Sequence, residues 1–190
     1  MFLGNGAKSE LCQVLPCVAC GYDGGKVRKG HIMQITANFS LAELTHSNTA
    51  VARGIANTPT EAHKQNLIHA CVNLWQPMRD LLGKPVHINS GYRSTAVNKA
   101  VGGSPTSAHS IGFAIDFVCP AFGSPREIVQ FLATELPKHG IGFDQIILEF
   151  PDTDNSWVHI GYKNQAGRQR GQVLTAKKVR GKTVYLQGIQ

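Results

Sequence analysis

At 190 residues the chain has the length of one domain, with enough interior to need no staples, and its 42% hydrophobic and 16% charged content is that of a globular protein. No apolar run approaches the ~20 residues of a membrane helix, and five cysteines, an odd number, indicate no disulfide framework. The net charge of +7 is confined to one end: residues 155–190 hold seven Lys/Arg and no acid, while residues 1–154 hold twelve Lys/Arg and twelve Asp/Glu.

Residues 1–32 are rich in glycine and show no periodicity, and they lack the basic start and apolar stretch of a signal peptide. They are expected to be a disordered extension or an over-long start, with Met33 as the working N-terminus. Cys12, Cys17 and Cys20 lie here; Cys17-x-x-Cys20 with His31 beyond lacks a second pair at finger spacing, which argues against a metal. Ser40-x-x-Glu43 is a capping box opening a short helix. The main helix is expected to start at Thr58 as N-cap with Pro59 at its first position, to bury Leu67, Ile68, Cys71, Leu74, Trp75, Met78, Leu81 and Leu82, and to stop at Gly83. Pro77 should kink it, and His63 and His69 read as surface residues. Val86–Asn89 is a short strand leading into Ser90-Gly91-Tyr92-Arg93-Ser94, followed by a short helix over Ser94–Val101 and a Gly-Gly-Ser-Pro loop.

Ser107–Cys119, SAHSIGFAIDFVC, runs into an apolar strand from Phe113, so Asp116 is a carboxylate inside a buried run. Such a charge needs compensation. An Arg or Lys partner would supply it, and so would a metal ion shared with His109. Residues seven apart in one strand would point to opposite faces, so for the second reading His109 must sit in the loop before the strand, with Gly112 permitting the bend. Ser156–Tyr162, SWVHIGY, is another strand with Trp157 and His159 on one face. Two imidazoles, one carboxylate and an open fourth position for water describe a catalytic zinc site.

Further on, Ser124-Pro125-Arg126-Glu127 is a capping box for a helix burying Ile128, Val129, Phe131, Leu132 and Leu136, and His139 follows its end. Gln145–Phe150 is a strand joined by a polar loop to the His159 strand, and Val173–Leu186 forms a hairpin around Arg180-Gly181. The order of elements predicts an α+β fold, a small antiparallel sheet carrying the zinc site and covered by helices. The division expected is an extension at 1–32, a domain at 33–163 and a basic segment at 164–190 packed on it as a hairpin.

Three motifs in this order, S-G-Y-R-S (Ser90–Ser94), S-x-H-x-x-G-x-A-x-D (Ser107, His109, Gly112, Ala114, Asp116) and W-x-H (Trp157, His159), resemble those of the zinc D-alanyl-D-alanine carboxypeptidases, peptidoglycan peptidases that include bacterial enzymes and phage lysins. The resemblance spans about Ile35–Tyr162. It implies one Zn2+ per chain on His109, Asp116 and His159, and stem peptides of peptidoglycan as substrate, with action at the cell wall, in the periplasm, as a phage lysin or virion component made without an export signal. It also implies a place for Arg93 in the active site, where its fixed fork of donors suits a substrate carboxylate or oxyanion, with Ser107 and Trp157 beside it as substrate-binding residues. A structural guanidinium tying loops together is the alternative for Arg93.

In many members of that family an acid stands three positions before the second histidine, and here that position is Ser156. A general base must come from elsewhere. If the strand holding Glu149 pairs antiparallel with Trp157–Tyr162 in a register of even index sum, Glu149 falls beside Trp157 or His159. Asp154, in the loop, is the second choice. Two other functions remain open at this point: a non-catalytic binding or virion module that keeps the zinc fold, and a nucleic-acid-binding protein. The second is weakened by the scarcity of aromatic residues for base stacking over 155–190, where only Trp157, Tyr162 and Tyr185 are found; attraction to an anionic cell-wall or outer-membrane surface, or a solvated basic face, accounts for the charge equally well.

Overall fold

The computed structural model describes residues 33–190, so the expectations for residues 1–32, the Cys17/Cys20/His31 group and the Met33 start lie outside it. Six strands, β1 (His87–Ser90), β2 (Ala114–Val118), β3 (Gln145–Glu149), β4 (Trp157–Gly161), β5 (Gln172–Val179) and β6 (Lys182–Gln187), form one sheet in the order β1-β2-β4-β3-β5-β6. The helices are α1 (Leu41–Thr45), α2 (Asn48–Arg53), α3 (Glu61–Ala70), α4 (Gln76–Leu82), α5 (Thr95–Ala100) and α6 (Pro125–Lys138). The α+β class holds. No helix among the described residues is long and apolar enough to cross a membrane.

The sheet is mixed rather than wholly antiparallel, because β5 pairs parallel with β3. The topology explains this. Both edges of β4 are occupied, by β2 and β3, so the next strand must go to the open edge of β3. The loop 162–171 crosses the Gln145 end of β3 to reach that edge, and β5 therefore runs opposite to β4 and parallel to β3. Arg170 anchors the crossing through a two-pronged ion pair, Nε and Nη2 donating to the two carboxylate oxygens of buried Asp144 at 2.7 Å each. β5 and β6 close over Arg180 (φ 49°) and Gly181 (φ 79°), a two-residue turn with positive φ at both positions, as a tight hairpin requires.

Period-two alternation divides the sheet. One face, with Ile115, Phe117, Ile146, Leu148, Val158 and Ile160, packs on Leu67, Leu74, Trp75 and Met78 of the main helix and on Ile128, Val129, Leu132 and Leu136 of α6. Each such side chain is worth about 1.5–3 kcal/mol when fully buried, so the stability resides on this side. The opposite face carries only a small apolar cluster, Ile147, Leu174 and Ala176. It is left for chemistry.

Several local expectations are corrected. Thr60, not Thr58, caps the main helix by accepting from His63 N at 3.2 Å, which leaves Pro59 buried ahead of the cap. At Pro77 the main helix is interrupted: residues Cys71–Trp75 form a π turn between α3 and α4, the Gln76 N–H reaching back five residues to Cys71 O. The wider turn relieves the clash that the proline ring would have with the preceding turn of an α-helix. His63 is half-buried rather than on the surface, its Nδ1 3.2 Å from the Tyr92 hydroxyl, whereas His69 is exposed. The helix α2, which hydrophobic spacing did not indicate, exists because Ser47 caps it and Gly54 (φ 61°) ends it.

Gly112 combines a positive φ of 79° with a packing constraint, since a Cβ there would lie 2.7 Å from His63 O on α3. Gly112→Ala should therefore cost roughly 2–4 kcal/mol of stability, read as a lower midpoint in urea with an unchanged slope; a loss below 0.5 kcal/mol would show that the bend tolerates a side chain.

Candidate active site

Three elements bring the predicted ligands together. His109 sits in a 3-10 turn, Ala108–Ile111, that Gly112 ends in the left-handed conformation, so the ring reaches the sheet from the loop and not from the strand. Asp116 lies at the centre of β2, and the register pairs it directly with His159 on β4. Their side chains rise from the same face as nearest cross-strand neighbours.

His109 Nε2 is 3.1 Å from Asp116 Oδ1 and 3.1 Å from His159 Nδ1, and His159 Nδ1 is 2.9 Å from Asp116 Oδ1. His109 Nδ1 donates to Gly91 O at 2.8 Å, which leaves Nε2 as a lone pair facing the carboxylate. His159 Nδ1 either donates to Asp116 Oδ1 or, in its other tautomer, turns a third lone pair to the same point, where a cation would satisfy all three atoms. Zinc in a tetrahedral site, at 2.0–2.1 Å from each ligand, holds its ligand atoms about 3.3 Å apart, close to the triangle seen here. The donor set and its spacing fit zinc, and the hydrogen bond from His109 to Gly91 O is the kind of outer contact that orients a ligating imidazole.

The electrostatics agree with that fit. Burial pushes the His109 pKa down, favouring the neutral ring that can ligate a metal. Burial alone would raise Asp116, but the adjoining imidazoles more than reverse it and hold the carboxyl well below the usual range.

Both readings of Asp116 are realised at once. While Oδ1 faces the imidazoles, Oδ2 accepts from Arg93 Nη2 at 3.0 Å, so the charge has an arginine partner and a metal-binding geometry together. Arg93 Nε is buried without a protein partner. The arginine loop is set by residues that sequence reasoning missed: Asn57 donates to Thr45 O and Tyr92 O at 2.9 and 3.0 Å and accepts from Ser94 N at 2.7 Å. Gly91 is required there as well, because a Cβ would collide with Leu44 O. An asparagine far from the motifs has no periodic signature, so nothing in the chain's pattern could have pointed to it.

The even-sum register is the one formed: Glu149 pairs with Trp157 and Ile147 with His159. Glu149 is 8% exposed, and burial pushes its carboxyl up to about 7 against the opposing pull of His159. Ser156, at the position of the missing acid, donates from Oγ to Glu149 O at 2.9 Å and so ties the loop to the end of β3. Asp154 is exposed in that loop and is not among the residues lining the cleft. The cleft over this face has a volume of about 550 Å³ and is lined by Arg93, Ser107, His109, Asp116, Glu149, Trp157 and His159. The Trp157 ring stands edge-on to Phe150 at 5.3 Å. Phe150, Lys178, Thr183 and Tyr185 also line it. Sequence reading did not place Lys178, Thr183 and Tyr185 there, since only the β3–β5 pairing brings the hairpin to the site.

The Peptidase M15 family matches residues 37–161. Over 126 residues, 65% of this chain and 45% of the relative, the sequence is 37% identical to a zinc D-Ala-D-Ala carboxypeptidase from Streptomyces albus G. The chain thus spans under half the length of that curated relative. With about two thirds of its residues matched by the family and its three motifs converging in one cleft, the chain belongs to the Peptidase M15 family.

Proposed function

We propose that the protein is a zinc peptidase that hydrolyses D-amino-acid-containing stem peptides of peptidoglycan at the cell wall. The observation that carries this reading is the triangle of His109 Nε2, Asp116 Oδ1 and His159 Nδ1 in a cleft with the buried carboxyl of Glu149 in the adjoining row. The named activity of the Streptomyces relative supports the substrate class.

Zinc held by those three side chains would supply a Lewis acid that polarises a carbonyl and lowers the pKa of water. The chain's own residues do the rest. Glu149, with its pKa raised by burial, takes a proton at its carboxylate as the nucleophile forms and returns it to the leaving amine. Arg93 holds Asp116 through Nη2 and has further donors of its fork for a substrate carboxylate or the developing oxyanion. Trp157 and Ser107 line the same cleft and are the residues proposed to contact the substrate beside Arg93.

Zinc should bind at one ion per chain, and His109→Ala, Asp116→Ala and His159→Ala should each lose both metal and activity, as measured by elemental analysis and by mass spectrometry of digested peptidoglycan. A zinc-replete, active His159→Ala variant would overturn the site. The same digests identify the bond cut, at the terminal D-Ala-D-Ala or at a cross-link.

Glu149→Gln should keep its zinc while kcat falls by roughly 10²-fold or more, whereas Asp154→Asn should change little. Loss of turnover in Asp154→Asn alone would move the base to the loop, and a parent protein without turnover would favour a non-catalytic module.

The pH dependence has a definite sign. The carboxyl's folded pKa of about 7 exceeds its ordinary 4.5, so its ionisation costs stability increasingly as pH rises between those values. In the metal-free protein, Glu149→Gln should melt higher than the parent at pH 8 and no differently at pH 4; equal melting at both would mean that the carboxyl is not buried as described.

A further inference from the structure

The wall of the cleft farthest from Arg93 is built by the β5–β6 hairpin, which lies past residue 161, where the family match ends. Glu149 pairs with Ala176 and Ala176 with Tyr185, so the three form one cross-strand row on the metal-binding face. Lys178 lies two residues along β5 from Ala176 and so points to the same side. Its Nζ donates to Thr183 Oγ1 at 2.8 Å and stands 5.3 Å from the centre of the Phe150 ring. Those contacts hold a long side chain over the cleft that would otherwise sample many rotamers in solvent.

Among the described residues no ion pair ties up Lys178, although its charge also reaches the Glu149 carboxylate in the same cleft. Its neighbour Lys177, on the opposite side of β5, pairs with Asp152 at 3.0 Å, and Arg170 pairs with Asp144, but among the described residues Lys178 has no carboxylate partner. Strand geometry sets its place relative to the metal. His159 aligns through Ile147 with Leu174, four residues before Lys178 and two strands away. At about 3.3 Å per residue and about 4.8 Å per strand, the two Cα atoms are about 16 Å apart. The lysine stem covers part of that span, and an extended peptide advances about 3.3–3.6 Å per residue, so the ammonium faces groups about two to four residues from the reacting bond.

We propose that Lys178, held by Thr183 and Phe150, is a specificity residue that takes a carboxylate of the substrate about two to four residues from the scissile bond, on the side of the metal away from Arg93. This rests on the peptidase reading. The cleft would then select peptides by a second acidic group, through a residue outside the matched part of the family.

The test uses two synthetic peptides ending in D-Ala-D-Ala that differ only by Glu or Gln at the third residue before the scissile bond. They are titrated calorimetrically into the zinc-loaded full chain carrying Glu149→Gln, so that turnover does not consume them. The acidic peptide should bind about fivefold more tightly at low ionic strength, the scale of a partly exposed ion pair, and the preference should shrink in high salt. Adding Lys178→Met should bring the ratio of affinities to about one. Equal affinities in the first protein, including no binding of either peptide, or a preference that survives Lys178→Met, would overturn the proposal. The peptidase reading is judged separately, by whether the protein with Glu149 intact cleaves either peptide: a salt-sensitive, Lys178-dependent preference without cleavage would keep Lys178 as the residue that binds a peptide carboxylate and reject the peptidase reading.

Discussion

Three polar atoms held within 3.1 Å of one another, on largely buried side chains at the floor of an open cleft, are the constraint to which the rest of this structure answers. Without a cation, their repulsion is relieved only by a proton shared between His159 Nδ1 and Asp116 Oδ1, and a buried carboxylate alone would protonate rather than stay charged. The neighbouring elements are arranged to hold it open for a cation. Gly91 O keeps His109 in the tautomer whose Nε2 is free, Arg93 takes the second oxygen of Asp116, and the direct pairing of β2 with β4 keeps Asp116 and His159 side by side.

These contacts divide the labour between the faces of the sheet. The helical side supplies a dense apolar core, with Trp75, Phe117, Leu74 and Met78 fully buried. On the metal side the polar row is supported by second contacts: Asn57 fixes the arginine loop, Ser156 fixes the end of β3, and two glycines allow backbones to approach where a side chain would not fit. The apolar cluster on this side is small, and the cleft stands open beside it. Stability and chemistry thus occupy opposite faces of the same strands, as period-two alternation permits.

The basic end of the chain takes on a different meaning in three dimensions. Arg170 and Lys177 neutralise acids from the preceding part of the sheet, Asp144 and Asp152, so part of the excess positive charge is internal pairing rather than a field for distant anions. The hairpin, which carries Lys178, Arg180 and Lys182, extends the sheet beside β3 and brings one lysine to the edge of the cleft.

Much of the site was legible in the chain. His109, Asp116 and His159 are marked by residue types that a buried run tolerates only with compensation, Gly112 by the bend that a loop histidine demands, and Glu149 by parity, a rule of strand geometry that needs only the correct register. Capping residues such as Ser40 and Ser124 bounded their helices because a cap is a local bond between residues three apart. What the tertiary structure alone decided are the contacts made between segments distant in sequence. The parallel pairing of β5 follows from which sheet edge was still vacant, the role of Asn57 from three backbone groups gathered from two loops, and the π turn from how the main helix accommodates Pro77 while keeping Cys71, Leu74 and Trp75 buried. Such choices depend on long-range geometry, and local patterns of hydrophobicity and capping carry no term for it.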